Sequence, residues 1–404
     1  MLNTSYKLSI ISLIVSILVI MYLPMAIYVL VKIGIFLTMR IRSWRPKSPR
    51  RFTFFNISPI IRKTYNKVII EIVTNGENTE STLSIIERIL SYKFKAPIYV
   101  LTEYYDNFNY GVATIKVPKN YSTLKKSMKK MRALQYGIEI LHDLGYGRDT
   151  YIIHLDDDSY VNEDYIQYVR TMTSPAGQGS VKLRDYTGNN LTGMLDTIRV
   201  STCRIHCAYN NIKNKVKFVH GEGLVVRADI EYEMGWDYGL AGAEDLIMGY
   251  AISKKYWVDH IPYNIYVNPP TNIRDLFAQR ARWLSHVLGA KRILRSMNPS
   301  LLFFYYLLYF YGILGIVAES LWIYDLATGT GINTVIFFFS LVNLISIALT
   351  YEIGAASTSR KYAVIVPFIF LFLGFIENIT TIFALIKRPD ARDFKVIYKM
   401  PATR

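Results

Sequence analysis

Tyr151-Ile152-Ile153-His154-Leu155-Asp156-Asp157-Asp158 is an apolar run that stops abruptly in three consecutive carboxylates. The run reads as a buried strand, and the triple acid that ends it decides the chemistry. Carboxylates this close repel one another and are driven toward protonation unless a cation neutralises them. A divalent metal at this strand end is therefore the natural reading, and it implies a phosphate-bearing substrate.

Working outward, the chain from Lys67 alternates between strand and helix patterns. Lys67 to Val73 reads as a buried strand, Thr79 to Leu90 as an amphipathic helix, Ile98 to Thr102 and Val112 to Val117 as strands, and Tyr121 to Leu144 as a long basic helix. Such alternation predicts a parallel α/β sheet, whose ligands bind beyond the carboxyl ends of the strands. Asp156 lies at such an end, and so do Thr74, Asn75, Gly76 and Glu103, although turn chemistry alone also explains Asn75-Gly76. Gly177 to Asn214, rich in Gly, Asn, Arg and Thr, reads as an irregular insertion. Regular pattern returns with Val216 to Val219, a helix near Ala243, and a closing strand from Trp257 to Val267 that Pro269-Pro270 ends.

At 404 residues, 51% of them hydrophobic, the chain can hold one catalytic domain and a small membrane region. Leu8 to Leu37 is nearly uninterrupted apolar sequence, longer than the roughly 20 residues a bilayer crossing needs. No small-residue cleavage site comes after it, so it reads as a retained helix. Arg40, Arg42, Arg45, Lys47, Arg50 and Arg51 come next and place the following domain in the cytoplasm by the positive-inside bias. Much of the net charge of +16 flanks apolar spans, which fits anionic lipid headgroups rather than nucleic acid. Two cysteines give little basis for a disulfide framework. Cys203, His206 and Cys207 offer three zinc-type ligands with no obvious fourth.

Thr271 to Leu294 reads as one helix with two faces: Ile273, Leu276, Phe277, Arg280, Leu284, Val287 and Leu288 on one, and Asp275, Gln279, Arg282 and His286 on the other. Such a helix can lie in the membrane surface. Three apolar stretches come after it, Leu301 to Tyr324, Ile332 to Tyr351 and Ala363 to Ile386. The basic tail from Lys387 favours two crossings with an interfacial third segment over three crossings. The expected division is an anchor over 1–51, a cytoplasmic catalytic domain over 52–270, an interfacial helix over 271–300, a membrane region over 301–386 and a tail over 387–404.

Three motifs then occur in a fixed order: Asp156-Asp157-Asp158, Ala243-Glu244-Asp245, and Gln279-Arg280-Ala281-Arg282-Trp283. In this order the chain resembles the membrane-integrated, cellulose-synthase-like family 2 glycosyltransferases. The resemblance implies a GT-A fold, the Rossmann-like α/β domain of nucleotide-diphospho-sugar transferases, with transmembrane and interfacial helices. It implies Asp245 as the general base, Glu244 as acceptor support, and Asp158 with Asp156 on Mn or Mg. Arg282 would meet the departing diphosphate, and Gln279 and Trp283 would complete the nucleotide-sugar site with Thr74, Asn75, Gly76, Glu103 and Asp157. Lys130 is singled out of a basic helix only because Lys130 to Leu134 resembles the family's Lys-x-Arg-Ala-Leu stretch. His220 could add a metal ligand, or be structural. Phe394 to Lys399 resembles the gating segment of cellulose synthases, with Ile397 in place of its Thr.

Lys130 to Tyr136, His154 to Asp158 and Gly177-Gln178-Gly179 further resemble the egghead-type β-mannosyltransferases. That resemblance implies GDP-mannose as donor and a lipid-linked acceptor at the cell membrane. A processive polysaccharide synthase and a non-catalytic nucleotide-sugar-binding scaffold are the alternatives.

Overall fold

The computed structural model describes residues 26–38, 65–184, 190–207, 219–299 and 334–387, with a few isolated positions in the flanking apolar runs. The sheet is eight-stranded and mixed, in the order β3-β2-β1-β4-β7-β6-β8-β5. Its first half is built from β1 (Lys67–Val73), α1 (Thr79–Leu90), β2 (Ile98–Glu103), β3 (Ala113–Val117), α2 (Lys129–Asp143) and β4 (Thr150–Asp156). These strands pair in parallel, as the alternation predicts. β1 and β4 are buried along nearly their whole length, so continuous apolar runs rather than alternating ones encode them.

The second half departs from a parallel sheet. It comprises β5 (Ser159–Val161), α3 (Glu163–Val169), β6 (Ala176–Leu183), α4 (Asn190–Thr202), a π-helical turn Cys203–Cys207, β7 (Leu224–Arg227), α5 (Ala228–Met234), α6 (Glu244–Lys255) and β8 (Val258–Val267). β7 runs antiparallel to both β4 and β6, and β5 antiparallel to β8, whereas β6 and β8 are parallel. The segment expected to be irregular, 177–214, in fact supplies a central strand and a buried helix. Gly177 and Gly179 are required there by close packing: a Cβ at Gly177 would meet Met172 and Ile261, and one at Gly179 would meet Tyr165 and the Tyr263 carbonyl. Of the expected strand Val216 to Val219, residues 216–218 lie outside the described residues and Val219 is not in a strand.

The long helix expected from Tyr121 begins only at Lys129. Lys126 and Lys129 take left-handed backbone conformations, φ 62° and 53°. Asp237 holds this loop by accepting from the Lys125 N–H and the Ser127 hydroxyl, both at 2.7 Å. The helix expected over 271–294 is likewise two helices, α7 (Ile273–Gly289) and α8 (Lys291–Met297), divided at Ala290.

Two C-terminal helices, α9 (Thr334–Thr358) and α10 (Arg360–Lys387), are separated by Ser359 alone. Ser340–Thr358 and α10 are long and apolar enough to cross a membrane, and α10 continues through Pro367. A shorter apolar helix spans Ala26–Thr38. The remainder of the N-terminal apolar run, the basic segment 40–51, Leu301 to Tyr324 and the tail lie outside the described residues.

α4 joins the sheet to these apolar helices. Leu195 on α4 packs with Tyr351, Ala355, Tyr362, Val366 and Leu373, and a Cβ at Gly354 would collide with the Thr197 carbonyl. At the centre of the junction Arg280 of α7 donates to Glu377 of α10 at 2.7 Å, to Asp196 of α4 at 3.0 Å and to the Gln279 side chain at 3.0 Å. Removing one partner of a buried charge pair leaves the other uncompensated and costs about 3–5 kcal/mol. Arg280→Leu is therefore expected to lower the denaturation midpoint of the detergent-solubilised protein substantially. Pairing that variant with Glu377→Leu and Asp196→Leu should recover most of the loss.

Candidate active site

β1 and β4 are in register from Lys67↔Thr150 to Val73↔Asp156, so the loops after both strands open at one edge of the sheet. Asp157 bridges them: it accepts from the Thr74 hydroxyl at 3.0 Å and the Asn78 amide at 3.3 Å. Thr74 in turn accepts from the Gly76 N–H at 3.1 Å. Gly76 has φ +85°, and a Cβ there would lie 2.8 Å from Asp106 Cγ, so both its backbone and its surroundings demand glycine. Asn75 closes an Asx turn on the Glu77 N–H at 3.1 Å. Glu103, at the end of β2, is held by Arg132 Nη1 at 2.5 Å. Arg132 also caps the Pro118 and Tyr121 carbonyls.

His154 anchors the carboxylate end of β4 from below. Its fully buried ring lies 3.0 Å from Glu71 and 2.9 Å from Glu231, and Trp236 Nε1 donates to Glu231 at 2.7 Å. Burial pushes the imidazole pKa down, but the two carboxylates outweigh it and hold it at about 10. His154 is thus a charged strut under the triple-acid turn, and the Gly223 N–H caps its carbonyl at 2.7 Å. Gln178 clamps the same region, accepting from the His220 N–H at 3.0 Å and donating to the Glu222 carbonyl at 3.1 Å. This gives the Gly-Gln-Gly segment a structural role.

Asp156 and Glu244 converge on one cation, Lys130, with Asp245 next to Glu244. Its ammonium lies 2.5 Å from Asp156 Oδ1 and 3.1 Å from Glu244 Oε1. Burial disfavours its charge, yet Asp156 and Glu244 hold its pKa well above the ordinary value. Burial would also raise Glu244, but Lys130 outweighs that and leaves its pKa below the ordinary carboxylate value. Asp245 differs: burial and the adjacent Glu244 raise it to about 6. Its oxygens accept from the Leu246 N–H at 2.7 Å and the Gly221 N–H at 3.2 Å. Ala243, at the N-cap of α6, sits at φ 66°, a left-handed conformation disfavoured for a residue with a Cβ. Local strain thus accompanies the acidic pair, as it often does at functional sites.

α7 brings the remaining residues. Burial lowers the pKa of Arg282, whose charge is met by Asp156, Asp158, Glu244 and Glu222. Trp283 has the Arg280 guanidinium 4.6 Å and the Arg199 guanidinium 5.5 Å from its ring centroid. Gln279 is almost fully buried and accepts from Arg280. Burial takes the His286 pKa down to about 4, so this ring is neutral at neutral pH. Arg199, which ion-pairs with Glu222, escaped sequence reasoning because α4 was expected to be irregular. Glu222 stands two residues from His220, but nothing in that stretch marks it as a partner.

Asp156 and Asp158 are the residues that fit a divalent cation. Both offer hard oxygen donors, and the Asp156 side chain is 31% exposed. Among the described residues no group of three or more His, Cys, Asp or Glu side chains forms a ready-made cage. Two hard carboxylate donors suit a Mg- or Mn-type ion, which is commonly held by one or two carboxylates. His220 faces Cys203 instead, and the pair, with burial opposing, raises its pKa to about 9. The His206 and Cys207 side chains lie outside the described residues.

A basic and acidic cluster thus sits at the carboxyl edge of a mixed α/β sheet, with a carboxylate turn leading the second half-sheet. Residues 151–376 match the profile of glycosyl transferase family group 2, and the chain belongs to that family. Within it, the chain is 28% identical over 195 residues to beta-1,4-mannosyltransferase egh of Drosophila melanogaster. That match covers 44% of this chain and 41% of the fly protein, so the chain spans well under half of its relative. Among solved structures it is similar to a mannosyltransferase of Pyrobaculum calidifontis in complex with GDP-Man and Mn2+. The identity there is 14%, the TM-score 0.48, and the coverage 91% of this chain and 98% of that one.

Proposed function

We propose that this glycosyltransferase is an inverting β-mannosyltransferase that moves mannose from GDP-mannose to a lipid-linked acceptor at the membrane, with its catalytic part cytoplasmic. The observation that carries the reading is the convergence of Asp156, Asp158, Lys130, Glu244, Asp245 and Arg282 at one sheet edge that two apolar helices adjoin through α4. The fly relative's named activity supports mannose as the sugar.

In this reading the acceptor hydroxyl oxygen attacks the anomeric carbon as the bond from that carbon to the diphosphate oxygen breaks. Asp245 takes the hydroxyl proton; its raised pKa places it close to the operating range of a general base. Glu244, kept ionised by Lys130, holds the acceptor pocket and keeps a negative charge beside the base. Arg282 receives the charge that develops on the departing diphosphate. A Mn or Mg ion on Asp158 and Asp156, when bound, neutralises the diphosphate as a Lewis acid. Thr74, Asn75, Gly76 and Asp157 line the nucleotide side, and Glu103 fixes its floor through Arg132. Gln279 and Trp283 complete the donor site from α7.

The test is transfer from radiolabelled GDP-mannose, UDP-glucose, UDP-N-acetylglucosamine and UDP-galactose to total membrane lipid with Mn or Mg. Label from GDP-mannose alone in a lipid-extractable product is the expected result. Use of a UDP-sugar instead would overturn the mannosyl assignment and leave the family chemistry in place.

A further inference from the structure

α7 packs Phe277 and Leu284 against Phe383 and Ala384 of α10, and Arg280 lies on that same apolar face. Its side chain is only 7% exposed, and its three nitrogens are each committed to a different element. Nε donates to Glu377 of α10 at 2.7 Å, Nη2 to Asp196 of α4 at 3.0 Å, and Nη1 to Gln279 of α7 itself at 3.0 Å. The second oxygens of the two acids, Glu377 Oε2 and Asp196 Oδ2, are buried with no hydrogen-bond partner among the described residues. Arg280 is therefore what holds each carboxylate, and they in turn hold it.

Glu377 is the costly member of this set. It sits inside a helix long and apolar enough to cross a membrane, where an ionisable side chain needs a partner and commonly marks a functional position. What its partner touches is the donor side of α7. The Arg280 guanidinium bonds Gln279 and lies 4.6 Å from the centroid of the Trp283 ring, three residues further along the same helix. Arg199 approaches that ring at 5.5 Å, and Asp196 lies 4.0 Å from Arg199 as well as 3.0 Å from Arg280.

A guanidinium is a rigid planar fork, so three anchors on its three nitrogens fix both its place and its plane. Loss of the Nε anchor frees the plane to rotate about the remaining bonds, which moves the cation relative to the indole and to the Gln279 amide. We propose that Glu377 is a positioning residue for the donor site: acting through Arg280, it sets the placement of Gln279 and Trp283, so that donor affinity is fixed in part from a membrane helix. The consequence for the donor rests on the glycosyl-transfer reading; the link from Glu377 to Trp283 does not.

A double-mutant cycle on the full chain in detergent separates positioning from a merely structural ion pair. Wild type, Glu377→Gln, Trp283→Phe and the double variant would be compared by tryptophan emission without ligand, and by titration with GDP-mannose in the presence of Mn. Glu377→Gln should change the emission of the wild-type chain and leave that of the Trp283→Phe chain unaltered, because the moved guanidinium is felt by Trp283. It should also weaken GDP-mannose about fivefold in the wild-type background and by less than twofold in the Trp283→Phe background. An emission change that persists without Trp283, or losses of donor affinity that simply add, would reduce Glu377 to a structural tether and overturn the proposal. Should Glu377→Gln fail to fold, Glu377→Asp carries the test: it keeps the charge opposite Arg280, withdraws it by one methylene, and should give the same pattern at about half the size. Wild type that bound no GDP-mannose would sink the donor assignment, and the ligand-free emission comparison would still decide the link between Glu377 and Trp283.

Discussion

Asp245→Asn is expected to reduce the turnover of sugar transfer by about 10²–10⁴-fold, the usual contribution of a positioned general base. KM for the donor should stay within about threefold, since Asp245 meets the acceptor hydroxyl and not the nucleotide in this mechanism. Asparagine keeps the size of the side chain, and its one carbonyl oxygen can still accept from one of the two N–H groups, Leu246 or Gly221, that hold the carboxylate in place. A loss of activity would therefore report the missing base rather than a rearranged site.

The wild-type pH profile should carry the same signature. Asp245 titrates at about 6, so turnover should rise as pH passes upward through that value and level off above it. The stability effect has the opposite sign. A carboxyl whose folded pKa is raised holds its proton more tightly in the folded state, so its contribution to stability is greatest at low pH. That contribution falls away between the unfolded value near 3.8 and about 6. Asp245→Asn should thus melt no lower than wild type at pH 7 while being nearly inactive. An acidic limb that survives the substitution would remove Asp245 from the role of base.

Asp158→Asn, or chelation of divalent metal, is expected to have an effect of similar size, about 10³-fold, because Lewis-acid neutralisation of a departing diphosphate is worth several kcal/mol. Here the donor side should suffer as well: GDP affinity in the presence of Mn should fall in the variant and should fall in wild type on adding EDTA. Asp157→Asn serves as the control. Asp157 is tied to Thr74 and Asn78, so its loss should loosen the β1 loop and raise donor KM without abolishing metal-stimulated binding. If Asp157→Asn rather than Asp158→Asn removed the metal dependence, the ligand assignment within the triple acid would be wrong.

Elements are legible in the sequence where local pattern and burial agree. Lys67 to Val73 and Thr79 to Leu90 are found at the expected residues because a fully buried parallel strand and an amphipathic helix each leave an unambiguous pattern. Legibility is lost where a distant contact overrides local preference. Lys126 and Lys129 look like helix formers, but Asp237, more than a hundred residues away, holds their loop open. Gly177 and Gly179 look like loop glycines, yet they belong to a central strand whose neighbours leave no room for a side chain.

For the candidate site the division is similar. The sequence by itself determined the chemical groups: a strand ending in three carboxylates, a second acid pair, and an Arg-Trp pair on a helix, in the order of a glycosyltransferase family. Each is a short-range pattern, so it is readable without a partner. Only the tertiary structure decided which of those groups meet. It placed Lys130 between Asp156 and Glu244, buried Asp245 beside Glu244 and so raised its pKa, and set Arg280 between Asp196 and Glu377. Charge–charge energies depend on distances and burial that the fold creates between residues far apart in the chain, and no local pattern encodes them.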